Sequence, residues 1–144
     1  MLKYRNHKAV AFILATILAE AYRRFQLKVD VIMPVPLHPS RLRERGYNQS
    51  ELLAKSLSEL LDLPLDSRTL QRTRSTKSQM TLGFNERHQN VAEAFACESF
   101  AGTGQTILLV DDVCTTGSTL DACADALKKM GVGAVWGLTL AKAR

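Results

Sequence analysis

Apolar residues recur at helical spacing over residues 8–25. Val10, Ile13, Leu14, Ile17, Leu18, Ala21 and Phe25 fall three or four positions apart, which predicts an amphipathic helix with those side chains turned inward. The stretch VDVIMPVP, 29–36, reads as a short buried strand running into a loop, because Pro34, Pro36 and Pro39 bar regular structure there. The loop LHPSRLRERGY follows. Asn48 with Glu51 three residues later has capping-box spacing and marks a helix start. Leu52, Leu53, Leu57, Leu60 and Leu61 supply that helix's apolar face, and Pro64 ends it. Residues 68–90 are polar, with little periodicity beyond a short strand near their start. Such length is unusual for a plain connection and predicts a functional or mobile loop. Residues 107–110 are the clearest strand. Ser118 with Asp121 repeats the capping-box spacing, and Leu120, Cys123, Ala124, Leu127 and Met130 form the next apolar stripe, closed by Gly131 as C-cap. Residues 133–141 read as a last buried strand, which places Trp136 in the core.

That order of helices and strands predicts an α/β fold, with a mostly parallel central sheet flanked by helices, in one domain over residues 1–144. A chain of 144 residues buries roughly two-thirds of its unfolded surface, so no disulfide or metal staple is required. The 19 Lys and Arg outnumber the 14 Asp and Glu, for a net charge of +5. The excess suits an anionic partner, either a phosphorylated small molecule or nucleic acid. Cys97, Cys114 and Cys123 form no Cys-x-x-Cys pair, so neither a disulfide framework nor a zinc ribbon is indicated and a reducing, cytoplasmic setting is expected. His7, His38 and His88 show no metal-ligand spacing. The basic start MLKYRNHK and the apolar run after it imitate a secretory signal, but the helical pattern continues past the would-be cleavage site. The run is also too short to cross a membrane, which takes roughly 20 apolar residues.

The segment ILLVDDVCTTGST, 107–119, carries the most specific chemistry. In open α/β sheets, ligands sit beyond the carboxyl ends of the strands. A strand ending at Val110 delivers Asp111 and Asp112 to that edge. The small hydroxyl residues Thr115, Thr116, Ser118 and Thr119 around Gly117 then lead into a helix start, where backbone N–H groups and the helix dipole attract phosphate. Carboxylates repel phosphate, so the two halves must serve different groups. A ribose bearing a 5′-phosphate satisfies both: its hydroxyls donate to the acids, and its phosphate meets the amides. The same acids suit Mg²⁺, held directly or through water.

This segment closely resembles the phosphoribosyl pyrophosphate (PRPP) signature of type I phosphoribosyltransferases. The flanking motifs VPLHPSRLRERGYNQS and RTRSTKSQMTLGFNERHQNVAEAF resemble one branch of them, the ComF/GntX family of competence-associated and gluconate-associated proteins. The resemblance implies that Asp111 and Asp112 are the catalytic acids, taking the ribose hydroxyls and Mg²⁺. It implies that Thr115, Thr116, Gly117, Ser118 and Thr119 hold the 5′-phosphate. The loop 36–46, with Arg41, Arg43 and Arg45, would face pyrophosphate, for which guanidinium forks are apt. Lys77 and Arg74 fall in the family's mobile loop, which would close over pyrophosphate and exclude water. The implied reaction displaces pyrophosphate from C1 of PRPP by a nitrogen acceptor, with no general base evident in the sequence. Tyr47 and Phe84 are candidates to stack on a base, and His38 to touch pyrophosphate. Two other readings stand beside this one. The first is a non-catalytic PRPP- or nucleotide-sensing module. The second is a DNA-uptake factor acting through competence proteins or single-stranded DNA. No membrane partner is expected. Fuller members of the branch carry an N-terminal zinc ribbon, and this chain starts where that ribbon would end. It stops directly after the last strand, so only the N-terminal segment is left to supply a hood over the acceptor.

Overall fold

A computed structural model describes residues 2–73, 95–97, 102–114 and 117–142. Helix α1 (Leu2–Arg24) leads to strand β1 (Val31–Pro34), the short helix α2 (Pro39–Arg45) and helix α3 (Gln49–Leu61). Strands β2 (Leu70–Arg72) and β3 (Phe95–Cys97) follow, then β4 (Thr106–Cys114), helix α4 (Ser118–Lys129) and β5 (Ala134–Lys142). The main sheet has the order β1-β4-β5 and is parallel throughout, with Val31 beside Ile107 and Leu108 beside Trp136. On the outer side of β1, Ile32 bridges to Leu65 in parallel. β2 and β3 form a separate antiparallel pair.

Strands β1 and β4 are apolar on both faces because both faces are covered. Val31, Met33, Ile107 and Leu109 pack with Leu127, Cys123, Leu70 and Phe95 on the side of α4, β2 and β3. Ile32, Leu108 and Val110 pack with Leu53, Leu57, Leu18 and Ala15 on the side of α1 and α3. The result is the helix–sheet–helix sandwich the sequence predicts.

Several local expectations change. α1 begins six residues earlier than its periodicity suggested, and it turns a different face inward. Its buried residues among those described are Ala11, Ala15, Leu18 and Ala19, while Ile13 is 63% and Ile17 56% exposed. Alanines four residues apart let α1 lie close on α3, and bulkier side chains in that seam would hold the helices apart. Trp136 is 51% exposed rather than core. It lies in register with Leu108 on the α1–α3 side, but on a strand with no neighbour beyond it among the described residues, where helical cover runs out. β5 is accordingly half-covered, not buried.

The expected loop after β1 contains a helix. Pro39 occupies its first turn, where a missing N–H costs nothing. The ring nitrogen Nδ1 of His38 accepts the Ser40 amide at 3.1 Å, and Gly46 closes the helix in the left-handed region at φ 84°. α3 starts as predicted: Asn48 Oδ1 accepts the Ser50 amide at 3.0 Å. The Ser118–Asp121 capping box does not form. The N-cap is Gly117, at φ 82° and with no side-chain cap bond, because Ser118 already lies inside α4. Strand β4 runs on to Cys114, so Asp111 and Asp112 are still strand residues rather than loop residues, with Asp111 in register with Thr139 of β5. β3 was not foreseen, since three residues carry too little pattern. The polar stretch from residue 74 onward, including Arg74, Lys77 and Phe84, lies outside the described residues.

The turn before β5 packs on the turn before β4. A side chain on Gly133 would place its Cβ 2.6 Å from the carbonyl oxygen of Gly104, while the Gly133 amide is held by the Gln105 carbonyl at 2.8 Å. Gly133→Ala should therefore destabilise the fold by about 2 kcal/mol, as overpacking against backbone does. Urea denaturation measures this, and an unchanged midpoint would show that the two turns separate freely.

Candidate functional site

The carboxyl ends of β1 and β4 meet the starts of α3 and α4 at one edge of the sheet. Val35 continues past β1 and donates its amide to the Val110 carbonyl at 2.9 Å. The next residue of β4 is Asp111, half-buried, and Asp112 follows it. Asp111 Oδ1 accepts two hydrogen bonds, from the Ser50 hydroxyl at 2.8 Å and from the Asp112 amide at 2.9 Å. Asp112 Oδ1 accepts the Val113 amide at 2.9 Å. Each acid is thus anchored through one oxygen.

Burial raises the Asp111 carboxyl to about 6. The like charge of Asp112 pushes the same way, while the Ser50 hydroxyl works against it. An acid held in this way is costly to keep charged until donors or a cation arrive. The pair fits Mg²⁺ of the kind that keeps several waters and is shared with phosphate oxygens. No cluster of three or more His, Cys, Asp or Glu able to hold a metal occurs among the described residues, so an all-protein cage is not what they offer.

Of the five residues expected to hold the phosphate, Gly117, Ser118 and Thr119 begin α4, directly after the acid-bearing strand. Gly117 supplies a left-handed start that other residues adopt only with strain. Thr115 and Thr116 lie outside the described residues, as does Lys77. Arg41, Arg43 and Arg45 sit on α2, all exposed. A cavity of about 450 Å³ opens between the end of β1, α2, the start of α3 and β2. Pro36, Leu37, Leu42, Asn48, Arg68 and Arg72 are among its lining residues. The three arginines of α2 do not line it.

The cations on its wall, Arg68 and Arg72, were not among the sequence-based candidates. Arg72 lies over the Phe95 ring at 5.1 Å from its centre. Burial pushes its guanidinium down, and the charge of Asp111 is among the influences that offset this. Asp66 shapes the turn before β2: burial raises its carboxyl, but the Thr69 hydroxyl and the Arg68 and Thr69 amides prevail and hold it below its usual range. His38 caps α2, and Tyr47 packs on His7 with ring centres 4.3 Å apart, tying α1 to the start of α3. Asn48 and Ser50 are the two buried polar residues among those described. The sequence marks Asn48 as a helix cap and as part of the RGYNQ motif, but assigns no role to Ser50. No helix among the described residues is long and apolar enough to cross a membrane.

Comparison with known proteins agrees with this geometry. The model of the phosphoribosyl transferase domain family matches residues 2–142. Competence protein F of Haemophilus influenzae is 40% identical over 148 aligned positions, covering 96% of this chain and 65% of that protein. The DNA utilization protein YhgH of Escherichia coli K12 is 42% identical over 106 positions, covering 74% of this chain and 46% of the relative. The chain thus spans between about half and two-thirds of the length of these relatives. Among solved structures, the purine phosphoribosyltransferase of Pyrococcus horikoshii superposes with a TM-score of 0.56 at 21% identity, over 90% of this chain and 70% of that one. A parallel sheet presenting two acids beside a glycine-started helix, a domain model matching nearly end to end and these relatives place the chain in the phosphoribosyl transferase domain family, in its ComF-like branch.

Proposed function

We propose that this chain binds PRPP and transfers its phosphoribosyl group to a nitrogen acceptor, releasing pyrophosphate. The observation that carries this reading is the end of β4, where two anchored carboxyls stand immediately before a helix start that lacks a side-chain cap. Asp111 and Asp112 accept from the ribose hydroxyls. Gly117, Ser118 and Thr119, with Thr115 and Thr116 before them, take the 5′-phosphate at the α4 N-terminus. Arg41, Arg43, Arg45 and Lys77 serve the pyrophosphate, and Arg72 adds a cation on the cavity wall. Bound Mg²⁺, held by Asp111 and Asp112 together with the ligand's own oxygens, would neutralise the leaving group.

In the reaction, the bond from C1 to the pyrophosphate oxygen breaks and its electron pair leaves with pyrophosphate, while the acceptor nitrogen bonds to C1 and gives up its N–H proton to the departing pyrophosphate or to water. The residues contribute placement and charge: the acids orient the sugar and favour positive charge growing on C1, and the arginines favour the departing anion. The names of two relatives, competence protein F and DNA utilization protein YhgH, support a role in taking up or using DNA; the cytoplasm is the setting proposed for it, since cysteines without a disulfide framework suit a reducing compartment.

PRPP with Mg²⁺ should raise the melting temperature, whereas adenine alone should not. Ligand at 100 times its dissociation constant adds about 2.7 kcal/mol. An unchanged melting temperature at millimolar PRPP would sink the reading. Pyrophosphate release in the presence of a panel of nitrogenous bases then separates a transferase from a sensor that only binds.

A further inference from the structure

Asn48 and Ser50 are the buried polar side chains among the described residues, 8% and 4% exposed, and both belong to one chain of hydrogen bonds. The Asn48 side-chain amide donates to the Val35 carbonyl at 3.2 Å, and Val35 donates its own amide to the Val110 carbonyl at 2.9 Å. Asn48 Oδ1 accepts the Ser50 amide at 3.0 Å, and the Ser50 hydroxyl donates to Asp111 Oδ1 at 2.8 Å. The chain closes on β4 at adjacent residues, Val110 and Asp111. It therefore joins three segments far apart in sequence: the stretch after β1, the start of α3 and the end of β4.

A cap for α3 needs only the Asn48 side chain and the Ser50 amide. It does not need the Ser50 hydroxyl, and it does not need Ser50 to be buried against a carboxylate 61 residues away. Burying polar groups is tolerated when each is satisfied, and a satisfied network fixes one arrangement. The Ser50 hydroxyl and the Asp112 amide together fill Oδ1 of Asp111. The other oxygen, Oδ2, is thereby the one turned over to a ligand, or to a proton shared with Asp112.

We propose that Ser50 is a positioning residue for ribose recognition: its hydroxyl, set in place by Asn48, fixes the Asp111 carboxyl so that Oδ2 meets a sugar hydroxyl. This rests on the PRPP reading and deepens it. The same chain of bonds ties Asp111 to Val35, which leads into the segment assigned to pyrophosphate, so the sugar and pyrophosphate sides of the site share one frame. Ser50 touches the acid and not the reacting atoms, and its effect runs through Asp111.

Titration calorimetry with PRPP, ribose 5-phosphate and inorganic phosphate tests the proposal on the full chain. Ser50→Ala keeps the amide that Asn48 caps and should leave a cooperative thermal transition. It is expected to weaken PRPP and ribose 5-phosphate about ten-fold, the worth of one hydrogen bond to a charged group. Inorganic phosphate, which has no sugar hydroxyl, should bind as in the unmodified protein. Ser50→Thr retains the hydroxyl and should restore the sugar ligands. Because the effect runs through Asp111, adding Ser50→Ala to Asp111→Asn should cost less than about two-fold more. Wild-type affinity for PRPP in Ser50→Ala would overturn the proposal alone, as would equal loss of PRPP and phosphate or full additivity with Asp111→Asn. An unmodified protein that bound no PRPP would overturn the proposal together with the reading beneath it.

Discussion

Replacing Asp111 and Asp112 together by asparagine should weaken PRPP by about a hundred-fold or more, and inorganic phosphate hardly at all. The acids are assigned to ribose hydroxyls, which phosphate lacks. Hydrogen bonds to charged groups contribute roughly 1.5–3 kcal/mol each, so neutralising two acceptors removes at least about 3 kcal/mol. The substitution is mild for the scaffold. An asparagine side-chain oxygen can still accept the Ser50 hydroxyl and the Asp112 amide that now hold Asp111, and the Val113 amide that holds Asp112. What is lost is the charge and the second acceptor oxygen. The phosphate contacts proposed at the start of α4 should remain, because that helix starts at Gly117 with no side-chain cap bond from either acid. Calorimetry with the two ligands decides the matter. Equal losses would mean that the acids organise the loop and do not read the sugar, and the ribose assignment would have to be abandoned.

The single change Asp111→Asn should stabilise the fold at pH 8 and leave it unaltered near pH 4. Burial lifts the Asp111 carboxyl to about 6 in the folded chain, against about 3.9 when unfolded. The folded state therefore holds this proton more tightly than the unfolded state does. Below pH 4 both states are protonated and the acid costs nothing. Between pH 4 and 6 the unfolded chain releases its proton first, and stability falls as pH rises. Above 6 the full cost is present. Two units correspond to at most about 3 kcal/mol, and partial solvent access at the sheet edge reduces that to about 1–2 kcal/mol. Urea denaturation of both proteins at pH 4 and pH 8 gives the comparison. A variant less stable than the parent at pH 8 would show that the charged acid supports the fold. A cost in stability at Asp111 would fit its proposed role, since functional sites often trade stability for activity.

Much of this architecture is legible in the chain itself. The apolar runs around Ile32 and Leu108 predict strands, and β1 and β4 are strands covered on both faces. Asn48 announces the start of α3, because a cap acts within a few residues and needs no distant partner. The order of two acids, small hydroxyl residues and glycine after a strand carries the candidate site for the same reason: strand end, turn and helix start are local.

Other features depend on what lies across space. Periodicity marks α1 as amphipathic, but its apolar residues do not say which neighbour they will meet. Close packing on α3 selects Ala11, Ala15 and Ala19 and leaves Ile13 and Ile17 in solvent. Trp136 reads as core from its strand, yet the reach of α1 and α3 decides how far cover extends over β5. Pro39 looks like a breaker until His38 and Gly46 close a turn of helix on either side of it. Ser50 is a plain hydroxyl in the chain, and it gains meaning only when folding brings Asp111, 61 residues later, to within 2.8 Å. Sequence alone determined the strands of the main sheet, the cap of α3 and the acid–glycine order, since each arises from neighbours along the chain. Only the tertiary structure decided which faces are covered and which oxygen of Asp111 takes the Ser50 hydroxyl, because burial and long-range hydrogen bonds belong to pairs of segments and not to either one.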